Sequence, residues 1–351
     1  MNISEYLQKP FLWNCKNIQK TRNVSCRIFS KHEGLEKIKR VALGMFSLLS
    51  LPFTSVLFLT GKLFGEAKKN KDSKRKSIKI TCIDVGGTAI KTASLPTKPN
   101  KVDLQQAKIE VYHSSDWLNH RLPDLFAKII LKNKETTRAA LPMDVIDHAF
   151  VERGDLSVPR DLSRIVKNKT GEFPYLINDS EAWLKGMIHF KKIVGETVEY
   201  PCMSIVIGTG VAVAISKKEG EVEVLSLSSQ KNNFVELEKV SGRKIHHSWE
   251  VHGIVGREFF EWANSMVMDD HTISFEHSKR VEALLQDIVH CISEDFKPTK
   301  TLFIAGGNSR YLDSESSFFN RSDVAIELLT PPKMLAKGFD HNLMPLLGLI
   351  A

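Results

Sequence analysis

Cysteine is scarce and scattered in this chain of 351 residues: Cys15, Cys26, Cys82, Cys202 and Cys291 stand singly, with no C-x-x-C pair. That spacing excludes a four-cysteine zinc ribbon or a redox dithiol, and it fits free thiols in a reducing compartment. Two common phosphate-binding strings, G-x-x-x-x-G-K-[ST] and G-x-G-x-x-G, are missing as well. Both open a helix, so any phosphate loop here has to be of another kind. Acidic residues are few at the N-terminus, where residues 1–76 hold 16 Lys plus Arg against 5 Asp plus Glu. The remainder holds 33 basic and 36 acidic residues, so the net charge of +8 belongs to the leader. A mildly acidic body lacks the electrostatic footprint of a nucleic-acid-binding domain, and no nucleic-acid partner is expected.

Charge is absent altogether from Val41 to Gly61, a run of 21 residues bounded by Lys37, Lys39, Arg40 and Lys62. Such a helix is just long enough to cross the hydrocarbon core of a bilayer, and flanking cations suit both headgroup layers. Two other fates stay open: an apolar helical hairpin packed on the body, or a membrane-surface hairpin broken at Pro52. No small-residue cleavage site follows, which argues against a cleaved signal. Residues 68–76 read as a basic linker that would keep the body on the cytoplasmic side of an anchor at 41–61. The expected organisation is a basic, apolar leader over 1–76, an α/β domain over 77–185 and a second α/β domain over 186–351. The length exceeds the usual single-core size, which supports two domains in the body.

Against these absences stands one string of small residues: Asp84-Val85-Gly86-Gly87-Thr88, entered from the apolar run 78–83 and followed by Ala89-Ile90-Lys91. It reads as strand, glycine turn, returning strand. Gly86 and Gly87 let the backbone bend and bring bare N–H groups and the Thr88 hydroxyl up to a phosphate, while Asp84 can hold a hydrated magnesium ion. Asp-x-Gly-Gly also makes plain hairpin turns, so order along the chain decides the matter. Three more apolar strands end in small or polar residues: Leu176-Ile177-Asn178-Asp179, Ile205-Val206-Ile207-Gly208-Thr209-Gly210, and Ile304-Ala305-Gly306-Gly307-Asn308. Strand ends of this sort carry the ligand loops of open α/β sheets. Between the first two lie a strand over 108–112, a helix over 122–131 and a strand within 145–150. Asn178-Asp179 would also cap the helix that follows, a role compatible with chemistry.

In order and spacing these motifs resemble the sugar kinases of the actin-like ATPase superfamily, in particular the glucokinases and the repressor, ORF and kinase (ROK) family, over about residues 78–351. The C-terminal Pro345-Leu346-Leu347-Gly348 is similar to that family's last helix. The resemblance implies a two-domain, ribonuclease H-like α/β fold with ATP and Mg2+ as cofactors and a sugar or small alcohol as acceptor. It implies Asp179 as the catalytic base and Asn178 as a sugar contact. Asp84, Gly86, Gly87, Thr88 and Lys91 would hold the phosphates and, through water, the metal, with Gly208, Thr209 and Gly210 as the second phosphate loop. Gly306, Gly307 and Asn308 would line the adenosine. The family's cysteine-rich zinc motif is missing, and no zinc is expected. Its G-E-x-G-H segment is replaced by residues 225–234, which carry neither the glutamate nor the histidine. Glu238, three residues before Ser241, is the nearest match to the glutamate of Glu-x-x-x-Ser-Gly. His246, His247 and His252 read as surface histidines. The implied activity is ATP-dependent phosphorylation of a hexose or related sugar. A membrane-tethered pseudokinase and a kinase for a non-sugar alcohol are the alternatives, and the oligomeric state is open, a homo-oligomer included.

Overall fold

β-branched residues on both sides of the Gly86–Gly87 turn make a hairpin: β1 (Lys79–Val85) returns as β2 (Ala89–Pro96), with Asp84 opposite Lys91 and Val85 opposite Ile90. In this computed structural model the chain parts into two units, 1–77 and 78–351. The residues described are 78–113, 122–152, 158–225, 234–247, 249–295, 300–312 and 324–351. The apolar run 41–61, the basic stretch 68–76 and the segment 226–233 fall outside them. Among the described residues no helix is long and apolar enough to cross a membrane.

β3 (Glu110–His113) extends the hairpin antiparallel, and β4 (Thr136–Leu141) and β7 (Tyr175–Asn178) add to β1 in parallel. The sheet order is β3-β2-β1-β4-β7. A second sheet repeats the plan. β8 (Cys202–Ile207), β9 (Val211–Ser216) and β10 (Glu223–Leu225) run antiparallel, and β11 (Thr301–Ala305) and β12 (Ala325–Leu328) join β8 in parallel, giving β10-β9-β8-β11-β12. β8 is buried along its whole length, as expected of a central strand covered on both faces.

Among the helices, α1 (Lys101–Gln105) is closed by an Asn100–Asp103 capping box, in which each side chain satisfies an otherwise orphaned N–H. α2 (Leu122–Asn133) and α3 (Leu162–Thr170) cover one face of the first sheet through Phe126, Ile129 and Leu162. Burying each such side chain contributes about 1.5–3 kcal/mol. The other face packs on α4 (Asp179–Val194), in a core that also takes in Val206 and Phe303 of the second sheet. On the far side of that sheet lie α5 (Val235–Ser241), α6 (Trp249–Val255) and the 26-residue α8 (Asp270–Asp295), with α7 (Arg257–Ser265) before it. α9 (Pro331–Ala336) and α10 (Leu343–Gly348) finish the fold.

α4 and α10 touch backbone to backbone. A Cβ on Gly186 would stand 1.7 Å from the Met344 carbonyl oxygen, and one on Gly348 would stand 1.8 Å from that of Ala182. Only hydrogen fits at either place. Lys191, on the last turn of α4, is buried between Glu196 and Glu327 and fastens the helix to β12 at 2.8 Å from Glu327.

The middle of the first sheet departs from the sequence-based expectation. The strand expected at 108–112 runs from Glu110 to His113, and the helix expected to end at 131 continues to Asn133. Residues 145–150 are not one strand: β5 (Val145–Ile146) turns back into β6 (Phe150–Val151) through Asp147 and His148 at φ of 50° and 57°. The parallel strand of this region is β4, whose Thr-Thr-Arg-Ala-Ala-Leu lacks the apolar run of a central strand yet is buried through Ala139, Ala140 and Leu141.

Candidate functional site

The ends of β1, β4, β7, β8 and β11 open on one cleft of about 990 Å³, lined by Asp84, Gly86–Thr88, Lys91, Asn178–Ser180, Gly208–Gly210 and Gly306–Asn308 among others. Four stretches between 84 and 308 in sequence thus meet around one space. Glu238 is the predicted site residue that does not line it. It lies on α5, where its carboxylate accepts from the Ile245 N–H at 2.8 Å and from Lys244 at 2.9 Å.

The two turns that face each other here expose donors. In the first, the Gly86 N–H donates to the Ala89 carbonyl at 3.0 Å, and the N–H groups of Gly87 and Thr88 have no partner among the described residues. In the second, all three carbonyls are tied away: Gly208 accepts from Asn308 Nδ2 at 2.7 Å, Thr209 from the Arg257 N–H at 3.2 Å, and Gly210 from the Gly208 N–H at 2.8 Å. The N–H groups of Thr209 and Gly210 have no partner among the described residues. A Cβ on Gly87 would lie 3.3 Å from Thr209 Oγ1, so the turns are close enough to share one ligand. Paired open N–H groups with the carbonyls turned elsewhere form a nest for an anion, and phosphate oxygens are its natural occupant.

The acid–base pair beside the first turn comes from the first sheet. Asp84 is buried, and Lys91 meets its carboxylate at 3.1 Å. Asp179 stands at the start of α4, where burial first and the neighbouring Asp84 carboxylate second raise its pKa to about 7. The Ser180 N–H and hydroxyl oppose that shift only in part. A carboxyl group that gains and loses its proton near neutrality suits general-base work. The hard oxygen donors of Asp84 and Asp179 also fit a hydrated magnesium ion, with Asp84 as the residue to hold its water shell.

Asn178 is the N-cap of α4: its Oδ1 accepts from the Ser180 N–H at 2.8 Å, and its Nδ2 donates to the Met143 carbonyl at 3.1 Å. The capping role read from the sequence therefore falls to Asn178, while the Asp179 carboxylate accepts from the Ser180 hydroxyl at 3.3 Å. Gly306 takes a φ of +103°, and a Cβ there would stand 2.3 Å from the Ile207 carbonyl oxygen. That close approach of the chain after β11 to the end of its parallel neighbour β8 leads into the Gly307–Tyr311 turn, and Gly307 and Asn308 line the cleft.

Several lining residues escaped the sequence. Asp144 and Glu152 bring carboxylates from either side of the β5–β6 hairpin, where the Glu152 N–H donates to the Asp144 carbonyl at 3.0 Å. Arg257, Phe260, Arg310 and His341 also face the space. His246 and His247 are exposed as expected, but His252 is not a surface histidine: it is partly buried, lines the cleft, and accepts the Val211 N–H on Nδ1 at 2.8 Å. Proximity to Val211, 41 residues earlier in sequence, leaves no local pattern to read. The thiols of Cys82 and Cys202 are buried and pushed up, that of Cys202 to about 12, so neither is a nucleophile at neutral pH.

No protein-family model matches the sequence, and neither does any curated protein. Solved structures do match. A ROK hexokinase from Thermus thermophilus is 13% identical with a TM-score of 0.51, over 78% of this chain and 98% of that one. A putative sugar kinase from Cytophaga hutchinsonii is 12% identical with a TM-score of 0.50, over 78% and 98%. A ROK family transcriptional regulator, a homologue of the E. coli MLC protein, is 12% identical with a TM-score of 0.52, over 78% of each chain. At such identities the likeness is one of fold: residues 78–351 share the two-domain α/β fold of these structures.

Proposed function

We propose that the chain is an ATP-dependent kinase for a hexose or related sugar, working in this cleft. The observation that carries the proposal is the convergence of Asp179, its proton affinity raised to about pH 7, with two facing turns of open N–H groups. Phosphoryl transfer to an alcohol asks for little else: a carboxylate to take the hydroxyl proton, and fixed donors around the transferring group. Gly87, Thr88, Thr209 and Gly210 would donate to the phosphates, with Lys91 beside them. Asp84 would order a bound magnesium ion, which neutralises charge building up on the phosphate oxygens. Gly306, Gly307 and Asn308 would line the nucleoside. Asp179 would remove the acceptor proton as the oxygen attacks.

A fold shared with a hexokinase and a sugar kinase supports the acceptor class. Asp144, Glu152 and Asn178 offer polar groups to hydroxyls on that side. The division into lobes 77–185 and 186–351 belongs to the same proposal and is supported by the two sheets, one before and one after α4. The test is ADP release by the full chain with MgATP across a panel of hexoses, amino sugars and small alcohols. Release stimulated by one or more sugars is the expected result. Stimulation by a non-sugar alcohol alone would reassign the acceptor, and nucleotide binding with no turnover on any acceptor would leave a pseudokinase.

A further inference from the structure

The second phosphate turn has no charged side chain to hold its shape, and the α6–α7 corner takes that part. Gly256 joins the two helices and is wedged: a Cβ there would stand 2.4 Å from the Thr209 carbonyl oxygen and 2.3 Å from that of His252. The Arg257 N–H at the start of α7 donates to the Thr209 carbonyl at 3.2 Å. One turn earlier, His252 reaches over Gly210, whose Cβ would sit 2.8 Å from the imidazole Nδ1, and accepts the Val211 N–H there at 2.8 Å. The corner thus grips the turn on both sides, one carbonyl on entry and one N–H on exit.

We propose that His252 is a positioning residue for the phosphate donor: by accepting the Val211 N–H it holds the Gly208–Gly210 turn with the Thr209 and Gly210 N–H groups facing the cleft. It acts through the turn and makes no contact with the reacting atoms. Had the Val211 N–H no acceptor at the side, it would be one more loose donor competing to reorient the turn, and a buried donor without a partner is destabilising. Nδ1 has to be unprotonated to accept, and burial holds the pKa of His252 below the ordinary imidazole value. The neutral ring therefore carries its proton on Nε2. This inference rests on the turn being a phosphate site, as proposed above.

Two variants separate positioning from bulk. In His252→Asn the amide Oδ1 stands three bonds from Cα, as Nδ1 does, and restores the acceptor; His252→Leu fills similar space and cannot accept. Full-length protein is followed by hydrogen exchange over the peptides covering 205–213 and by calorimetry with MgATP. The leucine variant is expected to lose protection at the Val211 amide and to bind MgATP about 10-fold or more weakly, while the asparagine variant stays within about 3-fold of the parent in both. The proposal is overturned if leucine leaves exchange and affinity unchanged. It is equally overturned if asparagine and leucine are impaired alike, since bulk or ring packing would then be the cause. Exchange does not depend on nucleotide, so a parent protein that shows the protected Val211 amide but binds no MgATP would refute the kinase proposal and leave the acceptor role of His252 standing or falling on the exchange data.

Discussion

The two sheets share a strand order and a glycine-bearing turn between their first two strands, yet the residues just before that turn differ in kind. In the first sheet the cross-strand pair is Asp84 opposite Lys91; at the corresponding place in the second it is Val206 opposite Ala212. The first sheet brings a charged pair to its turn, and Asp179 follows on the helix after its last strand. The second brings backbone to its turn, with the turn carbonyls tied to Asn308, Arg257 and Gly208, while Arg257 and Arg310 line the cleft farther out. In the proposed phosphate site, a carboxylate in place of Val206 would repel the anion that the open N–H groups of the second turn attract. The same plan, used twice, has been specialised at one pair of positions.

The comparison breaks most sharply at Asp179. Asp179→Asn should lower acceptor-dependent turnover by about 10²- to 10⁴-fold, with MgATP affinity nearly unchanged, as general-base loss requires; steady-state kinetics beside calorimetry decides. Next in size is the helix pair between the sheets. Gly186→Ala forces a methyl onto the Met344 carbonyl, and urea unfolding should show a loss of about 2–4 kcal/mol.

Copying the second sheet's residue into the first, as Asp84→Val, removes the metal's anchor and strands Lys91. MgATP binding should weaken by about 10- to 100-fold, the scale of a lost charge-assisted contact. On the acceptor side, Asp144→Ala should raise the KM of the sugar by about 10-fold and leave the KM of ATP in place. The smallest effect concerns pH. The folded pKa of Asp179 is raised to about 7, so its protonated form supports the fold at acid pH and that support is lost as pH rises through about 7. Turnover should climb over the same interval. Asp179→Asn should accordingly melt higher than the parent at pH 8 and at the same temperature near pH 4.

The turns that line the cleft were legible in the sequence because strand ends of small residues are local strings: Asp84 to Thr88, Gly208 to Gly210 and Gly306 to Asn308 each follow an apolar strand, and each lines the cleft. Asn178-Asp179 was legible for the same reason, although the cap fell to the asparagine. β4 was not, since Thr136–Leu141 carries an arginine and two alanines and is made central only by β1 and β7 on its flanks. Asp144 and Glu152 were missed with it, because a hairpin folded on two-residue strands places them. His252 depends on a contact between α6 and the start of β9, which no periodicity encodes. Glu238 matched a short family string, but its partners Ile245 and Lys244 keep it on the α5 side.

The division of labour between the lobes is tested most directly by a crystal structure of the full chain with magnesium and a non-hydrolysable ATP analogue. The account predicts phosphate oxygens within hydrogen-bond distance of the N–H groups of both Gly87–Thr88 and Thr209–Gly210, a metal-bound water on Asp84, and Asp179 facing the terminal phosphate across room for an acceptor hydroxyl. Phosphates held by one turn alone, or a nucleotide seated outside the cleft, would contradict it.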